Sequence, residues 1–299
     1  MQTPPLLQPG DTIAIICTAK KVEREYIDRA TKLLESWGLN VKLGQNLFER
    51  HFQFAGTDEQ RAADLQDMLN DSEVKAFLCA RGGYGTVRIV DKVSFDLFTQ
   101  NPKWIIGFSD ITVLHNHIHT HFGIETLHAT VPLNFPEGEN ENLRTLKKAL
   151  FDGHLNYTID AHAMNRKGVA QGEVVGGNLA MIQSLAGTNS DIDTRGKILF
   201  LEEISEYAYQ VDRMMWNLKK SGKLDQLRGL IIGGFTDIKP GPDPFGYSAY
   251  EIIWELVKEY DYPVCFDFPA GHQEQNWTIT MGRYSRLEVA EESVNFTQS

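Results

Sequence analysis

The chain has 299 residues, 42% of them apolar and 23% charged, and a net charge of −11. That length is large for one core and sets two domains as the expectation, while the acidic balance excludes the basic footprint that nucleic-acid binding needs. No apolar run reaches membrane-spanning length, so no membrane partner is expected.

The opening segment, MQTPPLLQPGD, has no basic stretch followed by an apolar one, which predicts no export signal and a cytoplasmic address. Thr12–Ala19 (TIAIICTA) is a continuous apolar run of the kind buried in a parallel sheet. Val22–Trp37 has helical periodicity and stops at Gly38; LNVKLG then offers a short strand. TDEQRAADLQDMLND opens on capping residues and continues as an amphipathic helix. VKAFLCA, the loop RGGYG and a helix around TVRIVDKV come next, followed by KWIIGF and a helix behind Ser109. This βαβα alternation predicts an open parallel α/β sheet over residues 1–151, with a site at the carboxyl ends of its strands. A polar helix from about Glu139 to Leu150 precedes an expected linker at 152–167. Residues 168–299 form the second domain and turn to short strands with few helices, which predicts a β-rich, mixed domain. Cys17, Cys79 and Cys265 are odd in number, widely spaced and without a CxxC pair; they predict buried thiols.

Four positions invite chemistry. Ser109 stands between an apolar strand and a helix, either as an N-cap or as a nucleophile on a tight turn relieved by Gly107. The glycine run Arg81-Gly82-Gly83-Tyr84-Gly85 ends the preceding strand; it is either a simple turn or a set of N–H donors for an oxyanion or a carboxylate. Glu202 and Glu203 end the strand KILFLEE, and His272 follows a glycine in FPAGHQEQNW. Nucleophile, acid and base in that order also occur in α/β-hydrolases, but Ile111 stands where that elbow has its second glycine. His115, His117, His119 and His121 share helix faces in pairs without an HExxH acid, so a solvated or partly buried helix is expected and no metal or other cofactor is called for.

At this point the chain resembles the LD-carboxypeptidase family of serine peptidases almost end to end. The resemblance rests on LQPGDTIAI, GTDEQRAADL, RGGYG, IGFSDIT, GGNLAMIQSLAGT, ILFLEEISEYAYQVDR and FPAGHQEQNWTITMG. It implies a flavodoxin-like amino domain, a β-rich carboxyl domain and a homodimer. It further implies Ser109 as nucleophile, Glu202 as the acid orienting the base and His272 as general base. Backbone N–H groups of Asp110 and Gly83 would be the oxyanion donors, with Gly82 and Arg81 beside them. The family often has Glu-Asp where this chain has Glu202-Glu203, which leaves the choice between the two acids open. The substrate class implied is an L,D bond to a terminal D-amino acid, as in cytoplasmic muropeptides carrying D-alanine. Two alternatives are a related peptidase that cleaves a peptidyl-nucleotide antibiotic of the microcin-C type and a small-peptide binding protein without turnover.

Overall fold

The computed structural model describes the whole chain, Met1–Ser299. Its first half runs β1 (Thr12–Ile16), α1 (Arg24–Ser36), β2 (Asn40–Leu43), α2 (Asp58–Asn70), β3 (Val74–Cys79), α3 (Asp96–Gln100), β4 (Trp104–Gly107), α4 (Thr112–Phe122), β5 (Thr126–His128) and α5 (Glu141–Phe151). Its second half runs β6 (Leu155–Asp160), β7 (Gly168–Asn178), α6 (Leu179–Leu185), β8 (Ile198–Ile204), α7 (Ala208–Lys220), β9 (Gly229–Thr236), α8 (Ala249–Val257), β10 (Val264–Cys265), β11 (Ile279–Met281), β12 (Tyr284–Val289) and β13 (Ser293–Gln298).

The strands β2-β1-β3-β4-β5 form a parallel sheet in flavodoxin order, as expected. The second sheet, β10-β9-β8-β7-β12-β13-β6, is parallel on its β7–β10 side and antiparallel on the other. Its parallel half is wound with α6, α7 and α8, helices that its sequence also marks near 178–185, 210–220 and 247–260.

Strand alternation feeds three cores. Ile13 and Ile15 face a core shared by both sheets, while Ala14 and Ile16 face the helices α2 and α4. On β8, Ile198 and Phe200 face the shared core, while Leu199 and Leu201 face α6–α8. The three cysteines are free and buried.

Three expectations change. Residues 152–167, expected as a linker, contain β6, which pairs with the final strand β13 (Tyr157 opposite Phe296). The helix expected around 86–93 is two single 3₁₀ turns, Thr86–Arg88 and Val90–Lys92. After the His272 loop, β11 leaves the second sheet and pairs antiparallel with β5 of the first. That loop therefore spans the junction of the two sheets.

Candidate active site

Ser109 lies two residues beyond the end of β4, at the start of the turn that opens α4. Its φ of 65° is in the left-handed region, a conformation that costs a residue with a Cβ about 1–3 kcal/mol and is characteristic of strained functional turns. An N-cap has extended backbone, and Ser109 caps no helix here. The strand leading to it is fixed by two bonds to the Gly107 carbonyl, from the Ala129 N–H at 3.2 Å and from His115 Nε2 at 2.9 Å. Ile111, which stands where a hydrolase elbow has its second glycine, packs on Gly107, and a Cβ at 107 would come within 2.8 Å of it, so the first glycine makes room for the isoleucine.

The glycine loop closes over the elbow. A Cβ on Gly82 would lie 2.8 Å from Ser109 Cβ and 3.1 Å from its Oγ, so only glycine permits this approach. The loop is held from behind: Thr86 N–H donates to Asp110 Oδ2 at 2.8 Å, Thr18 and Thr86 hydroxyls meet at 2.9 Å, and buried Arg61 donates to the carbonyls of Thr18 and Gly85. The N–H groups of Gly82 and Gly83 have no partner within the chain. The Asp110 N–H lies within the first turn of a helix, where no intrahelical acceptor exists, so these donors can serve an incoming oxygen. The Asp110 side chain is spent on the loop. Arg81 donates to the Lys21 carbonyl at 3.0 Å, and the aliphatic chain of Lys20, absent from the sequence expectations, lies across Gly83.

The candidate acid and base, Glu202 and His272, come from the second half of the chain. Glu202, on the Phe200 face of β8, is fully buried, and its Oε2 accepts from His272 Nδ1 at 2.6 Å and from the His272 N–H at 3.2 Å. Gly271 allows this: its φ is +102°, and a Cβ there would lie 2.6 Å from Glu202 Cβ. The loop is pinned further by Thr236 Oγ1 on the His272 carbonyl (2.5 Å), Asn276 Oδ1 on the Gly271 N–H (2.8 Å) and Asn142 of α5 on Asn276 (2.7 Å). Burial opposes the charge on both partners. For Glu202 it is outweighed by the His272 charge and hydrogen bond, and the carboxyl is held below its ordinary value. For His272 it is outweighed by Glu202, and the imidazole is pushed up. With its proton on Nδ1, His272 presents Nε2 as the basic nitrogen.

Glu203 points the other way. Its carboxylate accepts from Asn178 Nδ2 (2.9 Å), the Ala180 N–H at the start of α6 (2.7 Å) and the Ile204 N–H (2.8 Å). Burial, then the neighbouring Glu202 charge, raise it to about 7. The Asn178 N–H in turn donates to Thr112 Oγ1 at 3.0 Å, which joins the start of α4 to the end of β7.

The structure thus brings Phe108, the neighbour of Ser109, against the His272 ring at 4.8 Å between centroids. It forms no Ser109–His272 hydrogen bond, a contact that often closes only with substrate bound. A cleft of about 330 Å³ opens beside the pair, lined by Phe108, Thr130, Asn134, Asn142, Gln273 and Asn276 among others. The histidine run is partly buried, one of the two expected states: His115, His117 and His119 are buried while His121 is exposed, and His117 and His119 meet Ser190 Oγ (2.8 Å) and Thr126 Oγ1 (3.1 Å). Among all side chains, no group of three or more His, Cys, Asp or Glu is placed to hold a metal ion.

Two family models match the chain, the LD-carboxypeptidase N-terminal domain over residues 13–129 and the LD-carboxypeptidase C-terminal domain over residues 171–287. A probable murein peptide carboxypeptidase of Bacillus subtilis is 36% identical over 97% of this chain and 92% of its own. A murein tetrapeptide carboxypeptidase of Pseudomonas aeruginosa is 31% identical over 94% of each. Among solved structures, a muramoyltetrapeptide carboxypeptidase from Oxalobacter formigenes superposes with a TM-score of 0.87 at 26% identity, over 96% of this chain and 98% of that one. The fold recurs at 20% identity, with a TM-score of 0.88 over 98% of each chain, in MccF in complex with glutamyl sulfamoyl guanosine.

Proposed function

The chain belongs to the LD-carboxypeptidase family, and from that premise we propose that it is a metal-free serine carboxypeptidase releasing a terminal D-amino acid, D-alanine, from an L,D bond of a muropeptide. The observation that carries this reading is the buried Glu202–His272 pair set beside a strained Ser109 under an open glycine loop. His272 Nε2 takes the Ser109 proton as Oγ attacks the scissile carbonyl, and Glu202 stabilises the imidazolium. N–H groups of Asp110, Gly82 and Gly83 receive the oxyanion, a term worth about 3–4 kcal/mol per donor. The protonated imidazole then delivers its proton to the departing amine, and water repeats the sequence on the acyl-enzyme.

The amide-rich cleft supports a peptide, whose backbone offers matching donors and acceptors. Its one carbocyclic aromatic residue, Phe108, already packs on His272, which favours a peptide over a stacked nucleobase. Lys20 and Arg81, flanking the glycine loop, are the cations available to a terminal carboxylate. The cytoplasmic address and the homodimer belong to the same reading.

The test is mass spectrometry of muropeptide tetrapeptides ending in D- or L-alanine. Release from the D-ended peptide alone is expected. Equal cleavage of both would reject the L,D specificity; cleavage of neither, with Ser109 labelled by a fluorophosphonate, would favour the peptidyl-nucleotide substrate; no labelling at all would favour a binding protein.

A further inference from the structure

His128, the last residue of β5, has no role in the mechanism above, yet it stands behind the acid. It is fully buried, and neither ring nitrogen has a hydrogen-bond partner. Two other buried polar atoms near it are also unpartnered: Oε1 of Glu202 and Nδ2 of Asn276. These are four unpartnered atoms on three neighbouring side chains, each costing about 1–3 kcal/mol if left unmet, and a network that joins them offsets that cost.

The geometry brings them together from three elements. Phe200, two residues before Glu202 and on the same face of β8, takes the His128 ring edge-on at 4.9 Å. Phe108 lies between the histidines, 5.8 Å from His128 and 4.8 Å from His272. Across the sheet, His128 is opposite Gly107 on one side and Ile279 on the other, the latter three residues after Asn276.

The donor and acceptor inventory then closes. Asn276 Oδ1 accepts from the Gly271 N–H, which fixes the amide so that Nδ2 is the free donor. A neutral imidazole has one N–H and one bare nitrogen. Its bare nitrogen suits the Asn276 amide, and its N–H suits Glu202 Oε1.

We propose that His128 is a positioning residue for the Glu202–His272 pair: a neutral imidazole that links Asn276 to Glu202 Oε1, directly or through one water, and holds that carboxylate ionised and turned toward His272. This rests on the acid–base role given to that pair. Burial pushes the His128 pKa down to about 3, which agrees with a neutral ring. The titratable groups facing it are Glu202, His115 and His272.

Removing the donor leaves the Glu202 anion less stabilised, so the pair, titrating as a unit, takes up its proton at higher pH. The experiment measures the rate at which a fluorophosphonate labels Ser109, across pH, in the full-length protein; no peptide substrate is needed. His128→Phe and His128→Met are the apolar variants, so that one folded apolar arm suffices, and His128→Gln restores one donor and one acceptor. In the apolar variants the acid limb is expected to move up by about one pH unit, the loss of one hydrogen bond to a charged group. The plateau rate should fall about 10–100-fold, as for outer partners of reactive groups elsewhere. His128→Gln should recover most of both. Labelling of the wild type with an unmoved acid limb in the apolar variants overturns the positioning role alone. A wild type that is not labelled overturns the catalytic assignment beneath it.

Discussion

Glu202 and Glu203 are adjacent, both buried, and both candidates on sequence, yet their glutamine variants should fail in different ways. Glu202→Gln leaves an amide facing His272 Nδ1, where the 2.6 Å bond needs a carboxylate, and kcat should fall by about 10³-fold or more. Glu203 accepts three bonds, from Asn178, Ala180 and Ile204, and touches nothing that reacts. Its variant should change stability instead. The folded carboxyl sits at about 7 against an ordinary 4.5. Between those values the native state holds a proton that the unfolded chain has released, so stability falls as pH rises through this window. A displacement of that size corresponds to about 3 kcal/mol of penalty at alkaline pH. Glutamine removes the titration but sets its amide N–H₂ against one of three donors, a pH-independent loss of about 1–3 kcal/mol. Urea unfolding of both proteins at pH 5 and pH 8 separates the two effects. Glu203→Gln should be the weaker protein at pH 5 and should gain on the wild type by about 2.5 kcal/mol on going to pH 8, the part of the linkage that lies above pH 5. A stability difference that stays constant with pH, or a turnover loss larger than that of Glu202→Gln, would refute the division of labour.

Ser109→Gly should abolish fluorophosphonate labelling and raise stability by about 1 kcal/mol in urea unfolding, because glycine adopts φ 65° without strain; a destabilised variant would sink the strained-elbow account. The rate profile should rise with pH through an apparent pKa above the ordinary imidazole value, because Glu202 raises that of His272, and Glu202→Gln should shift this limb to lower pH in a kcat/KM titration. Amidating the terminal carboxyl of the substrate should raise KM in the wild type, and Lys20→Met should shrink the difference between free and amidated peptides; an unchanged difference would leave the carboxylate to Arg81 and the loop.

The elements that were legible in the sequence are those whose burial is local and periodic. TIAIICTA could be read as a strand buried on both faces because its alternate residues enter two different cores. Thr57 could be read as a cap because its hydroxyl accepts from Gln60 and the Gln60 side chain answers, a bond pair written within four residues. What was misread depends on distant partners. TVRIVDKV has helical composition, but the Thr86 N–H and hydroxyl are taken by Asp110 and Thr18, and Arg88 pairs with Asp58, so the backbone stays in single turns. LNYTID alternates buried and exposed residues as a strand should, a signal passed over in the expected linker because its partner lies at the far end of the chain. Ser109, Glu202 and His272 could be picked out as strand-end residues, whereas nothing local marked Lys20, His128 or Asn178.

The two acids also explain why a site divided between two sheets can hold its geometry. Ser109 is fixed at the carboxyl edge of the first sheet, while Glu202 lies on β8 of the second and holds His272, so any sliding of one sheet against the other would separate His272 from Ser109. The join is made a few residues from the chemistry. Thr112, three residues after Ser109, receives the Asn178 N–H; Asn178 donates to Glu203; Glu203 is covalently next to Glu202. From the other side, β11 enters the first sheet immediately after the His272 loop, and Asn142 of α5 holds Asn276 within that loop. The elbow and the acid–base pair are therefore tied on both flanks by buried hydrogen bonds of 2.7–3.0 Å, which low surrounding polarity strengthens. In this arrangement the penalty for burying Glu203 is the cost of aligning the two halves, and the strain at Ser109 is sustained by the same packing.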